Sequence, residues 1–158
     1  MGKFNPAVIK KPKSKKGVSQ GYFIPTNPQK YVGTNVNIIT YRSSWEKDLM
    51  FTCDLNPAVV QWAAEPFCIS YFDPVTQVKR QYWPDFLITY MKPDGSLVQE
   101  VVEIKPYKQC LLENAKSRKA KMTVITNQAK WQAAQAFCDA NGLVFRIMTE
   151  RQLYSRGK

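Results

Sequence analysis

The chain has 158 residues and no histidine. That absence removes Ser-His and Cys-His nucleophilic catalysis, imidazole metal ligands and phosphodiesterase schemes that use an imidazole base. Cysteine is sparse. Cys53, Cys68, Cys110 and Cys138 stand 15, 42 and 28 positions apart with no CxxC pair, so a cysteine-built zinc site has no local motif to grow from. Reduced, mostly buried thiols are expected instead. Long apolar runs are missing too: nothing approaches the roughly 20 apolar residues that span a bilayer. No apolar segment follows the N-terminal lysines, so no secretory signal is read. A soluble, cytoplasmic product without a membrane partner is the expectation. Acidic residues are also few, 12 Asp and Glu against 23 Lys and Arg, a formal charge of +11. Such a surplus on one small domain points to a polyanionic partner, most often nucleic acid. Hydrolytic chemistry in this chain must therefore rest on carboxylates, lysine and a hard metal ion.

Residues 1–20 hold six lysines and no acidic residue, with Pro6, Pro12 and Gly17 interspersed. This composition does not pack a core and reads as a flexible basic arm, either a solubilising tail or a segment that finds phosphates. Residues 21–158 read as one domain. Residues 21–34 look irregular, but their three aromatics suggest that they lie against it. Ser43 followed by Glu46 fits a capping box opening a helix that presents Trp45, Leu49, Met50 and Cys53 and stops by Asn56-Pro57. Strands are expected over residues 65–72, over 78–90 with an edge or bulge at Pro84, and over 97–105 after a Pro93-Asp94-Gly95 turn. A helix is expected over 109–121, and a second capped by Asn127 and stopped by Gly142. A buried strand over 143–148 and a short helix opened by Thr149-Glu150 complete an α/β layer around one mixed sheet flanked by helices. Trp45, Trp62 and Trp131 read as core residues.

One constellation carries chemistry: Pro84-Asp85, then seventeen residues, then Glu103-Ile104-Lys105. Glu103 and Lys105 are two apart on a strand and leave the same face. The turn at Asp94-Gly95 makes the Asp85 and Glu103 strands antiparallel neighbours, with the two carboxylates within a residue or two of being opposite. Carboxylate oxygens suit Mg²⁺ or Mn²⁺, a bound ion acidifies water and neutralises phosphate charge, and a neighbouring lysine can serve the water or the transition state. The Ile104 carbonyl is a further ligand candidate. By itself the spacing is common and is also met on solvated strands. Here both carboxylates sit in apolar runs, where an unpaired charge is costly.

The order of Glu46 on a leading helix, then Pro84-Asp85, then Glu103-Ile104-Lys105 resembles the PD-(D/E)XK nucleases of the restriction-endonuclease-like fold. Tyr41-Arg42-Ser43-Ser44-Trp45-Glu46, Trp62-Ala63-Ala64-Glu65-Pro66, Asn127-Gln128-Ala129-Lys130-Trp131 and Phe145-Arg146-Ile147-Met148-Thr149-Glu150 look like its TnsA-type branch, and within that the head completion nucleases of T-even-like contractile-tailed phages. The likeness covers residues 20–155. It implies that Asp85 and Glu103 ligate Mg²⁺, that Lys105 serves the water, and that Glu46 joins them as a metal or water ligand, although a capping-box glutamate also accounts for Glu46. Glu65 is a weaker candidate of the same kind. Arg42, Asn127 and Lys130 could contact the DNA backbone, and Asn127 is also an adequate helix cap.

The function so implied is a Mg²⁺-dependent DNA endonuclease of phage head completion after packaging. It would act in the host cytoplasm, with possible retention in the virion and contact with portal, neck or other completion proteins. Two other readings fit the same composition. One is a neck protein that keeps the nuclease fold and binds DNA or the portal vertex without cutting; the other is a plain basic nucleic-acid-binding module, for RNA among others.

Overall fold

In the computed structural model, residues 20–154 are described, so the basic arm expected at 1–20 lies outside them except for its last residue. The strands are β1 (Gly21–Phe23), β2 (Ile39–Tyr41), β3 (Val59–Ala64), β4 (Ile69–Asp73), β5 (Val78–Tyr82), β6 (Phe86–Met91), β7 (Leu97–Ile104) and β8 (Val144–Met148). The helices are α1 (Ser44–Leu55), α2 (Arg118–Asn141) and α3 (Glu150–Leu153). The central sheet runs β3-β6-β7-β8, antiparallel except for the parallel β7–β8 pair. It is the mixed sheet expected from the sequence. One face packs on α1, α3 and the β1–β2 ribbon through Leu49, Met50, Trp62, Phe86, Ile88, Val102 and Met148, all nearly fully buried. The opposite face carries α2 and the β4–β5 hairpin, joined through Ile69, Tyr71, Tyr82 and Ala134.

Two of the three N-terminal aromatics lie against the domain as expected, while Tyr22 is exposed. Phe23 is buried in the main core, and Tyr31 packs on it with its ring 4.8 Å from that of Trp62. The buried Asp54 carboxylate accepts from the Thr26 and Asn27 N–H groups at 2.7 and 2.9 Å. Lys30 Nζ donates to the carbonyls of Cys53, Asp54 and Asn56, where the exposed carbonyls of a helix C-terminus attract a cation. Cys53 and Cys138 are buried, and all four cysteines are free thiols.

Four expectations need correction. Val59–Ala64 is a strand of the central sheet that the sequence reading passed over; its β-branched and aromatic residues between Pro57 and Pro66 were the available signal. The long strand over 78–90 is two strands. Proline cannot donate to a ladder, so the chain breaks at Trp83-Pro84-Asp85: β5 pairs with β4 as a separate ribbon, while β6 enters the main sheet. Asn127 caps nothing. Residues 107–114 form two short 3-10 turns, Ser117 Oγ accepts the Ala120 N–H, and α2 runs unbroken past Asn127 to the left-handed Gly142. Finally, β8 is a sheet edge in which only Met148 is fully covered.

Candidate active site

The turn between β6 and β7 fixes the relation of the two carboxylates. Gly95 takes a φ of +83° and donates to the Lys92 carbonyl, and the Asp94 carboxylate accepts the Ser96 N–H. From there Met91 faces Leu97 and Phe86 faces Val102, and one more step sets Asp85 beside Glu103. The Asp85 carboxylate turns across the gap, and its Oδ2 accepts the Ile104 N–H at 2.6 Å. Glu103 is buried. Lys105 Nζ lies 3.4 Å from its Oε1, whereas its Oε2 has no hydrogen-bond partner.

Burial, then the neighbouring Glu103, raise the Asp85 carboxyl well above the ordinary range, against the opposing pull of the Ile104 N–H. Burial raises Glu103 as well, partly offset by Lys105. Two carboxyls that resist ionisation side by side, one with an orphaned oxygen, are hard-oxygen donors of the kind a cation would complete. Among the described residues, no three Asp, Glu, Cys or His side chains are gathered closely enough to hold an ion by themselves. A two-carboxylate site still suits Mg²⁺, which keeps several waters and takes one or two carboxylates together with substrate phosphates.

Glu46 comes near this pair without joining it. Ser43 Oγ accepts the Glu46 N–H as the capping box requires. The glutamate arm reaches one residue further back than expected, accepting the Arg42 N–H at 2.8 Å and the Ser43 hydroxyl. Glu46 shares a small recess with Thr40, Arg42, Glu65 and Asp85. Glu65 is bent there by a left-handed φ of 44°, donates its N–H to the Asp85 carbonyl, and pairs through its carboxylate with the Arg42 guanidinium. Arg42 is thereby engaged by protein, although it stays largely exposed.

From the other side, α2 contributes Lys130. Its Nζ lies 5.7 Å from the ring centres of both Tyr71 and Tyr82. Burial and the nearby Lys105 lower its pKa, while Glu103, Asp73 and Asp85 oppose the shift. Lys130 therefore faces the carboxylate pair instead of a remote surface. Asn127, one turn earlier, is buried and donates to the Gln109 carbonyl, which anchors α2 to the segment following Lys105. Tyr82 is the residue the sequence reading missed. Its buried hydroxyl has no hydrogen-bond partner, and its pKa is raised first by burial and then by the nearby Glu103, with a smaller push from Asp85. Only its place three residues before Asp85 hinted at this, because the fold that brings it there depends on the separate β4–β5 ribbon.

A family model described as the TnsA-like endonuclease N-terminal domain matches residues 56–150, more than half of the chain. The chain belongs to the TnsA-like endonuclease family. That span includes Asp85, Glu103, Lys105 and Lys130 and leaves out Glu46. The head completion nuclease of Enterobacteria phage T4 is 35% identical over 147 residues, covering 87% of this chain and 95% of the relative. In this TnsA-like chain the similarity thus spans both the central sheet and α2.

Proposed function

We propose that the chain is a metal-dependent DNA endonuclease acting in the completion of a phage head, with Asp85, Glu103 and Lys105 as its catalytic set. The single observation that carries this is the Asp85–Glu103 pair: two neighbouring carboxyls removed from solvent, one of them with an unpartnered buried oxygen. A nuclease relative covering most of the chain and a charge of +11 support the same reading.

Asp85, Glu103 and the Ile104 carbonyl would hold the ion, with Glu46 as a further metal or water ligand. Mg²⁺ bound there, or Mn²⁺ in its place, supplies an acidified water and neutralises charge on the phosphate. Lys105, tethered by Glu103, holds the attacking water or a phosphate oxygen in place. Lys130, propped on the two tyrosine rings, meets the phosphate from the opposite side. Arg42 and the lysines early in α2 would track the DNA backbone. Among the described residues no helix is long and apolar enough to cross a membrane, and a site of action in the host cell during head assembly, with portal or neck proteins as neighbours, completes the proposal.

The test is cleavage of plasmid and linear DNA by the purified chain with Mg²⁺, with Mn²⁺ and with EDTA. Cutting should need the metal and vanish in Asp85→Ala. Cutting that persists in both Asp85→Ala and Glu103→Ala removes the assigned site. DNA binding with no metal-dependent cutting under any condition favours a neck protein that only retains the fold.

A further inference from the structure

The β4–β5 hairpin has two faces of opposite character. Its inner face, with Ile69, Tyr71 and Tyr82, packs on Ala134 and Phe137 of α2. On the outer face Phe72 pairs with Lys79 and Ser70 with Gln81, and all four are exposed. Trp83 extends this strip beyond the end of β5. Isolated exposed aromatics are ordinary. Here Phe72, 52% exposed and opposite Lys79, and Trp83, 51% exposed, mark the two ends of about 14 Å of strand, at some 3.4 Å per residue.

The hairpin is held at its turn and against α2, and its outer strip stops two residues short of Asp85. Gln77 closes the hairpin with a φ of 60° and an N–H bond to the Asp73 carbonyl. The Asp73 carboxylate accepts from the Val75 N–H, the Thr76 hydroxyl and the Thr126 hydroxyl of α2. At the far end only the buried Pro84 separates Trp83 from Asp85, and the pyrrolidine ring fixes the backbone there. Trp83 stands two positions before Asp85, so its backbone lies within about 7 Å of that candidate ligand.

A strip of aromatic faces and a lysine, on a protein of charge +11, matches the chemistry of unpaired DNA. Free bases stack on exposed rings and the backbone passes the cations, whereas bases inside a duplex have no face to offer. We propose that the outer face of the β4–β5 hairpin, with Trp83 at its end, binds an unpaired stretch of DNA next to the scissile phosphate, so that a frayed or single-stranded segment is part of the preferred substrate. This rests on the nuclease reading of the Asp85–Glu103 site.

The tryptophans provide a direct probe. Trp62 and Trp131 are buried and Trp45 is half-buried, so Trp83 is the one well exposed to solvent. The full chain in EDTA, which prevents cutting, is titrated with an oligothymidylate and with a blunt duplex of equal length at one salt concentration. The oligothymidylate should quench the tryptophan emission, and Trp83→Phe should abolish the quench while still binding a labelled oligomer. Trp83→Ala should weaken that binding about tenfold, the scale of one stacked base. Circular dichroism checks that both variants fold, which substitution at an exposed side chain should permit. A quench that persists in Trp83→Phe, wild-type affinity in Trp83→Ala, or equal quenching by the duplex overturns the proposal. Restoring the metal separates the two readings. A chain that shows the Trp83-dependent quench but never cuts defeats the nuclease reading and leaves the strip standing. One that cuts without the quench defeats the strip alone.

Discussion

Strand β7 carries two buried glutamates three positions apart, and their surroundings differ. Glu100 lies on one face with both oxygens engaged: the Tyr90 hydroxyl donates to Oε2 at 3.0 Å, and Arg146 Nη1 lies 3.4 Å from Oε1. Glu103 lies on the other face, beside a second carboxylate, with one lysine near Oε1 and nothing on Oε2. Buried charges persist in proteins when they are paired and hydrogen-bonded. Glu100 meets that condition within the chain. Glu103 meets only half of it, and Asp85 makes its position worse. The comparison separates a buried charge satisfied within the chain from one left with an unpartnered oxygen, which the proposed function gives to a cation.

The sharpest way to break this comparison is to neutralise each glutamate in turn. Glu103→Gln keeps the shape but loses the charge that a cation needs, so cleavage should fall by about a thousandfold, the scale of removing one group from a preorganised set. Thermal stabilisation by Mn²⁺ should disappear with it. Glu100→Gln should cut DNA at close to the wild-type rate once the folded fraction is matched. Equal losses from the two variants would erase the distinction between the faces.

The next effect in size is on folding. Glu100→Ala leaves the Tyr90 hydroxyl and Arg146 without their shared acceptor. Stability should drop by about 1–3 kcal/mol, the usual scale of a lost hydrogen bond to a charged group. The lower half of that range is expected, because the Arg146 side chain is 34% exposed and water can replace part of the pair. Urea denaturation measures it. An unchanged midpoint would show that Glu100 is as weakly held as Glu103.

The Glu103 half of this comparison was legible in the sequence, the Glu100 half was not, and the unread part has physical causes. The Asp94-Gly95 turn has a strong local code, so the antiparallel pairing and the meeting of Asp85 with Glu103 could be counted outward from it. Ser43, Gly142 and Thr149 likewise mark helix ends through their own chemistry. Asn127 misled because its capping propensity is a local preference, and packing of α2 against the sheet and the Gln109 carbonyl overrode it. The β4–β5 ribbon was hidden because no short-range signal tells a proline break between two sheets from a bulge within one. Without that ribbon, neither the proximity of Tyr82 and Lys130 to Glu103 nor the exposure of Trp83 could be inferred. Local grammar gave the carboxylates, and tertiary packing determined their neighbours.

The smallest expected effect concerns protons, and it tests the electrostatic half of the comparison directly. Asp85 and Glu103 both have carboxyls raised above their ordinary values of 3.8 and 4.5, burial being the first cause in each. A carboxyl raised on folding binds its proton more tightly in the native state. Its contribution to stability is thus fully present below the unfolded value and lost as pH climbs through the folded one. Metal-free protein should accordingly lose stability from about pH 4 upward through this pair, on top of whatever other groups contribute. Asp85→Asn removes one of the two charges and keeps an oxygen to accept the Ile104 N–H. Its melting temperature in EDTA should therefore fall less steeply with pH and, at neutral pH, lie a few degrees above that of the wild type, the shift that about 1 kcal/mol produces in a domain of this size. Saturating Mg²⁺ should close the gap from the wild-type side, since a cation replaces the protons that the pair would otherwise hold. Parallel melting curves for the two proteins across pH, with and without metal, would mean that Asp85 and Glu103 do not repel one another and that Glu103 is no less settled than Glu100.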